Sequence, residues 1–396
     1  MGRDDGGFRP LSGAAPADAH PRAVLEGVPL PPGANAGRAA APRQAAADRR
    51  VLRLPLRAVA VAPRALARRR QGRRPAARAL LPGRERDRAR YGRARGRALP
   101  DPGAVIAVVT TVRDGAGALP ALADALEAQT HRDFEWVVID NASRDATAEV
   151  AAARGATVVG EPQPGRARAR NRGVAATGAP LLAFTDADCR PRPDWLERLA
   201  ACLERGEPLV AGRVVVTTSA APNAIEHFEA LWRFRDDPQR GWAPTANLGM
   251  RRDAFDAIGG FDASYRHIGE DVDLCLRAAT AGFSLTRCPE AVVEHAAETE
   301  RRPVLRRSFE QAYALHDLNR KHGLQSGRYW RNPGPLVRGD WALRRFGIDP
   351  AHLPADQRRA VLRVARSDYA ARIAGSLWAP LRQKGLTLLS HDRISV

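Results

Sequence analysis

From Ala104 onward the apolar positions fall into short blocks whose spacing alternates between two periods. Ala104–Thr111 is apolar and β-branched, the mark of a strand buried on both faces. Leu119, Leu122, Ala125 and Leu126 then recur at helical spacing up to Gln129. Phe134–Ile139 reads as a second buried strand that ends at Asp140, followed by a helix over Ala146–Ala153 and a strand over Ala156–Val159. A basic helical stretch runs from Arg166 to Ala176, and Leu181–Thr185 is a strand that ends at Asp186. Strands alternating with helices predict βαβ units and an α/β fold: a mostly parallel, Rossmann-like sheet flanked by helices. Ligands of such sheets lie beyond the carboxyl ends of the strands, where Asp140 and Asp186 both fall.

The second half is less regular. Leu209–Thr217 reads as a strand, Ala224–Arg235 as a helix, and Thr245–Arg251 as a strand leading into a helix over Arg252–Ile258. Glu270–Ala281 is amphipathic, with short strands expected near Ser284–Arg287 and Ala291–Glu294 and a helix over Val304–His322. After Gly323 come many Pro, Gly and Trp residues, then helical segments near Ala355–Ala374. The organisation expected is therefore a segment 1–100, a domain 104–322 and a mostly helical extension 323–396. The domain is expected to divide into two halves, 104–190 and 191–322.

Charge separates the first segment from the rest. Residues 1–100 hold 23 Arg against 7 acidic residues, a net of +16, whereas the other 296 residues are close to neutral at +3. Rich in Ala, Arg, Pro and Gly and poor in aromatics, that segment buries too little apolar surface to offset its ordering entropy, and we expect it to be disordered. A basic tail of this kind can attract nucleic acid or an anionic membrane. The near-neutral remainder lacks the interleaved basic and aromatic residues of a nucleic-acid reader, which argues against nucleic acid as the main partner. Cys189, Cys202, Cys275 and Cys288 show no CxxC pair, so reduced, partly buried thiols in a cytoplasmic protein are expected. No run of 18 or more apolar residues occurs, which leaves peripheral contact at the inner face of the membrane as the only membrane association expected, through amphipathic stretches such as Tyr369–Leu381.

The chemistry-bearing residues lie at strand ends and helix starts. Asp186 and Asp188, one residue apart after a buried strand, are hard oxygen ligands suited to Mg²⁺ or Mn²⁺. Asp140 can accept a hydrogen bond from a base or ribose, while Asn141, Ser143 and Asp145 supply turn and capping chemistry. Arg166, Arg168 and Arg170 alternate around a helix start where a diphosphate can be held, although at most two of them can face a ligand on one side of a helix. Glu270 and Asp271 open a helix after Gly269. They either complement its dipole or supply a general base. His295 ends a short strand beside Glu294 and reads equally as structure or ligand.

Taken together and in this order, the motifs resemble family-two glycosyltransferases, over about Ala104–His322. The acidic turn resembles Asp140–Asp145, the Ala-Arg-Asn motif Ala169-Arg170-Asn171, the DxD motif Asp186-Ala187-Asp188, and the Glu-Asp motif Glu270-Asp271. Thr245–Arg252 through Gly259-Gly260-Phe261-Asp262 resembles the acceptor-side segment. The family's proline-containing turn after the first strand is replaced by Thr110-Thr111-Val112-Arg113-Asp114.

The resemblance implies a GT-A fold and an inverting transfer from a nucleotide-sugar donor to an acceptor hydroxyl. It implies donor contacts from Thr111, Val112, Arg113, Asp140, Arg166, Arg170, Asp186 and Ala187, and a metal held by Asp188 with Asp186 and His295. Asp271, beside Glu270, takes the catalytic base role, and Trp242 and Asn247 are assigned to the acceptor side. Analogy favours a UDP-sugar donor and leaves a glycan, a lipid-linked chain or a small molecule as acceptor. Lacking the Gln-x-x-Arg-Trp motif and membrane helices of processive synthases, the chain is expected to add one sugar at a time. A sugar nucleotidyltransferase would want a basic, glycine-rich loop after the first strand, of which Arg113–Gly117 is a poor version. The remaining alternative is a non-enzymatic protein that binds nucleic acid or anionic membrane through its tail.

Overall fold

A computed structural model of the chain describes residues 104–235, 240–265, 268–324 and 355–383, with a few single positions between the last two. The expectation of a disordered segment 1–100 lies outside the described residues, as does most of 325–354. Contacts divide the chain into Met1–Pro75 and Ala76–Val396, and all described residues belong to the second unit.

Eight strands form one mixed sheet in the order β3-β2-β1-β4-β7-β6-β8-β5. β1 (Ile106–Val112), β2 (Phe134–Asp140), β3 (Thr157–Gly160) and β4 (Leu181–Phe184) are parallel, as their near-continuous apolar runs require of strands covered on both faces. Ile106 and Val108 enter one core with Leu119, Leu122 and Trp195, while Ala107 and Val109 enter a second with Ile139, Phe184 and Phe261. Helices α1 (Leu119–Glu127), α2 (Thr147–Ala153) and α3 (Arg166–Ala175) connect these strands. Gly173 lets α3 lie flat on the sheet, since a side chain there would strike Ile139 and Val109.

The far half of the sheet is where direction mixes. β7 (Leu248–Arg251) runs antiparallel to both β4 and β6 (Leu209–Thr217), while β6 and β8 (Leu285–Ala296) are parallel. β8 is one strand where the sequence predicts two. A register shift between Gly212 and Arg213 passes over Pro289–Ala291 instead of ending the strand. The expected strand start at Thr245 is a 3-10 turn, Thr245–Asn247, before β7 begins. Two elements not predicted lie between Asp186 and Leu209. β5 (Cys189–Pro191) pairs antiparallel with β8, and α4 (Trp195–Glu204) buries Trp195, Leu196 and Leu199 completely. Pro191 closes the three-residue edge strand, and Pro193 lies two residues before the first residue of the helix.

α5 (Ala224–Trp232) starts at a capping box in which Asn223 accepts from Ile225 and Glu226 N–H, and Glu226 accepts from Asn223 N–H. α6 (Arg252–Ala257) and α7 (Glu270–Thr280) follow, then the long α8 (Arg301–His322) and α9 (Ala355–Gln383). α5, α8 and α9 share a third core built on Phe228, Val304, Val361 and Tyr369. In α9, Tyr369, Arg372 and Gly375 face inward and Leu377 is exposed. The stretch from Tyr369 thus turns a packed face to α8, and its last residue, Leu381, has no described side chain. Among the described residues no helix is long and apolar enough to cross a membrane.

Candidate active site

The ends of β1, β2 and β4 bring the sequence-predicted acids to one edge of the sheet. Val112 and Asp140 are register partners, and Asn141 N–H donates to Val112 C=O. The loops after β1 and β2 are laced together: Asp114 N–H donates to Ser143 Oγ, Gly115 N–H to Thr147 Oγ1 and Ala116 N–H to Asp145 Oδ2, each at 3.0 Å. Bonds from Thr147 and from Ala116 N–H hold the Asp145 carboxyl below its ordinary pKa, so this residue ties loops together. Asp140 Oδ1 accepts Ser143 N–H at 2.9 Å. Thr111 and Asp140 are half-buried and Arg113 is exposed, while Val112 is buried and offers only its backbone. Asn141 is buried and its side chain is spent on the backbone. Its amide donates to Glu161 and Gln163 carbonyls and accepts Gly165 N–H, fixing the loop that delivers α3.

Of the three alternating arginines that open α3, Arg166 and Arg168 are exposed and Arg170 is 2% exposed. Arg170 Nη1 lies 2.6 Å from Glu270 Oε1 and its Nη2 3.1 Å from Asp186 Oδ1, joining α3, α7 and the turn after β4. Both Nη atoms of Arg170 thus meet carboxylates, and Glu270, 4% exposed, is a partner in this buried cluster. Arg166 remains open to solvent. Enclosure in the cleft works against its charge, but the carboxylates of Glu270 and Asp186 outweigh this and raise its pKa.

Two aspartates of this corner, Asp186 and Asp271, are driven apart in acidity. Burial alone would raise Asp186, but Arg170 and Arg166 overcome it and hold the carboxyl below its ordinary value. Asp271 is half-buried and has Glu270 as its chain neighbour. Burial first, then the Glu270 charge, push it up to about 7. Asn171 supports this corner from behind, donating to Phe261 C=O and accepting Phe261 N–H, both at 2.8 Å. Gly269, at φ 104°, makes the left-handed turn into α7 that a side chain would oppose.

Asp188 meets a different strand, β8. Its Oδ2 stands 3.3 Å from His295 Nε2, and Cys189 is the register partner of His295 across β5–β8. The ligand atoms of Asp188, Cys189 and His295 lie within 4.8 Å of one another. His295 Nδ1 donates to Ala296 C=O at 2.8 Å, which places a proton on Nδ1 and leaves Nε2 as the acceptor atom of the ring. A neutral imidazole nitrogen and a carboxylate oxygen 3.3 Å apart form a donor set that would suit a divalent ion. Cys189 was not a sequence candidate. Its thiol is 1% exposed and is held well above the ordinary value by burial and by the charges of Asp186 and Asp188. All four cysteines are free and buried.

On the acceptor side the expectation for Asn247 is corrected. It is 0% exposed, its amide donating to the Arg213 and Ala291 carbonyls and accepting Trp195 Nε1–H at 2.8 Å. It ties β6, β8 and α4 and cannot reach an acceptor. Trp242 is half-buried under Arg240, whose guanidinium stacks 4.9 Å from the ring, and lines a small cleft with Phe234, Pro244 and Arg287.

The sequence model described as Glycosyl transferase family 2 matches residues 106–259. Glycosyltransferase AglE of Haloferax volcanii is 30% identical over 204 residues, 48% of this chain and 67% of that protein. The pre-mycofactocin glycosyltransferase of Mycobacterium tuberculosis is 30% identical over 313 residues, 72% of this chain and 64% of that protein. An uncharacterized glycosyltransferase of Mycobacterium bovis is 34% identical over 193 residues, and this chain spans 82% of it. The chain belongs to glycosyltransferase family 2. The chain spans about two thirds of the length of the first two relatives. As a family-two member it is a glycosyltransferase of GT-A fold that works with a nucleotide-sugar donor, and the match covers the whole parallel half of its sheet together with β6 and β7. Nothing favours a nucleotidyltransferase or a purely nucleic-acid-binding protein.

Proposed function

We propose that this family-two glycosyltransferase moves one sugar at a time from a nucleoside-diphosphate sugar to an acceptor hydroxyl, in a single displacement with inversion. The observation that carries the reading is the split of two carboxylates in one corner: Asp186 held ionised by Arg170, and Asp271 held near pH 7 by burial beside Glu270. A base poised near the working pH takes a proton without being permanently protonated or too weak.

In this mechanism the donor base and ribose meet Asp140 and the backbone at Thr111–Arg113, and the diphosphate meets Arg166. Asp271 accepts the proton of the acceptor hydroxyl. The acceptor oxygen attacks the anomeric carbon from the face opposite the nucleotide, the bond to the diphosphate oxygen breaks, and the nucleoside diphosphate leaves. Asp188 and His295, with Asp186, would hold a divalent cation, Mg²⁺ or Mn²⁺. Such a cation supplies neutralisation of the charge that develops on the leaving diphosphate. Trp242 shapes the acceptor side. The donor is a UDP-sugar by analogy, and the acceptor a glycan, a lipid-linked chain or a small molecule.

The test is a thermal-shift panel of nucleoside diphosphates on the full chain, with and without Mn²⁺. A ligand specific to the native state stabilises it by about 2.7 kcal/mol at a hundredfold excess over Kd. One diphosphate should stabilise the protein only with metal, and Asp188→Ala should abolish the effect. Stabilisation that survives Asp188→Ala unchanged overturns the metal assignment, and the absence of any diphosphate effect overturns the donor site.

A further inference from the structure

One cation in the site has no part in the mechanism above. Arg233 follows the last residue of α5, and its Nη2 lies 3.1 Å from His295 Nε2, the same nitrogen that faces Asp188. A guanidinium only donates, so Nε2 accepts, in agreement with the proton on Nδ1 that the Ala296 carbonyl requires. That lone pair is single. While it accepts from Arg233 it cannot bind a metal.

The placement of Arg233 is built in. Its Nη1 stands 3.3 Å from Glu229 Oε2, and Glu229, 0% exposed, also pairs with Arg307 of α8. The guanidinium stacks 4.8 Å over Phe234, and the Phe234 ring lies 5.3 Å from that of His295. Both contacts depend on the chain leaving α5 through Phe234 at φ 54°, a left-handed conformation that a bulky aromatic residue adopts only at a cost. The charge of Arg233 also helps to keep Asp186 ionised. A cation stacked on an aromatic ring, tethered by one buried acid and aimed at the metal-ligating nitrogen, is placed where a donor diphosphate would lie.

We propose that Arg233 is a diphosphate-binding residue that holds the His295 nitrogen until the donor arrives. The nucleoside diphosphate draws the guanidinium onto its phosphate oxygens, His295 exchanges that hydrogen bond for the cation, and metal and donor therefore bind together. This inference rests on the metal site proposed at Asp188 and His295. No covalent step is involved; a hydrogen bond is exchanged, and Phe234 is the residue whose conformation the exchange can relax.

The experiment is Mn²⁺ binding followed by electron paramagnetic resonance, on the full chain, with no nucleotide and with saturating UDP or GDP. Wild-type protein should bind Mn²⁺ weakly alone and at least about tenfold more tightly with the diphosphate it prefers, the worth of one charge-assisted hydrogen bond. Arg233→Met should bind Mn²⁺ alone about tenfold more tightly than wild type, lose the nucleotide enhancement, and show weaker diphosphate affinity in the presence of metal. Arg233→Lys keeps the charge on Glu229 but not the two-armed reach to His295. It should likewise tighten nucleotide-free Mn²⁺ binding while retaining part of the diphosphate affinity, and it serves as the readout if Arg233→Met does not fold. Mn²⁺ affinity within twofold of wild type in the folded variants overturns the role of Arg233. Wild-type protein that binds no Mn²⁺ under any condition overturns the metal site itself, and the Arg233 proposal with it.

Discussion

At the residue scale the site works by setting like groups to different tasks. Asp186 and Asp271 are both aspartates near Arg170, yet one is kept below and the other pushed up to about 7. The catalytic consequence has a definite sign. A base with a pKa near 7 is protonated and inactive below that pH, so kcat/KM should fall about tenfold per unit as pH drops below about 6 and level off above about 8. A pH–rate profile in which the acid limb lies near 4 would remove Asp271 from the base role. Asp271→Asn should lower turnover by roughly 10²–10⁴-fold while leaving metal-dependent diphosphate binding intact. Single-turnover rates alongside the thermal shift separate the two. Asn247 makes the contrasting case. Asn247→Ala strands Trp195 Nε1 and the carbonyls of Arg213 and Ala291, for a loss of about 3 kcal/mol in denaturant unfolding. The acceptor KM of the surviving folded enzyme should be unchanged; a large selective rise in KM would restore Asn247 to the acceptor side.

At the scale of elements, what the sequence made legible was whatever a local pattern encodes. The strands that end at Asp140 and Asp186 declare themselves by unbroken apolar runs, and α7 by a first turn rich in acid. The pairing of Asp188 with His295 is legible only through a family likeness, because β5 is three residues long and its partner lies more than a hundred residues on. The meeting of Arg170 with Glu270 was not legible, because nothing in the run Arg166–Asn171 reveals that Glu270 will lie across from it. Arg233 carried no signal, since its meeting with His295 depends on where α5 stops and on one φ angle at Phe234. The α8–α9 contact shows the same dependence on tertiary pairing. Arg372 and Asp368, both almost wholly buried, bond to each other and to Ser308, with Arg372 stacked 4.5 Å over Trp232. Arg372→Met leaves a buried carboxylate uncompensated and should cost about 3–5 kcal/mol, whereas Asp368→Leu combined with Arg372→Met should recover most of it. Urea midpoints of the single and double variants decide between a pair that stabilises by charge and one that merely fills space.

At the scale of the whole molecule, the site draws on both halves of the sheet and on the helices behind them. Asp140 and Asp186 come from the parallel half, His295 from β8, and α8 reaches the site through Arg307, Glu229 and Arg233. The cations of this cleft are matched by acids: Arg170 by Glu270 and Asp186, Arg233 by Glu229, Arg307 by Glu229 and Glu298. Such pairing leaves little positive field to reach far into solution, in keeping with a net of only +3 over the last 296 residues. The long-range field of the chain should then belong to residues 1–100, whose net is +16. On a heparin column the full chain should be retained at low salt and released steeply as salt rises, because each neutralised polyanion charge releases a counterion. A chain begun near Leu99 should pass through while keeping its metal-dependent response to a nucleoside diphosphate. Equal retention of both forms would place the polyanion surface on the folded part instead, with the exposed Arg168 and Arg172 of α3 as the first residues to neutralise.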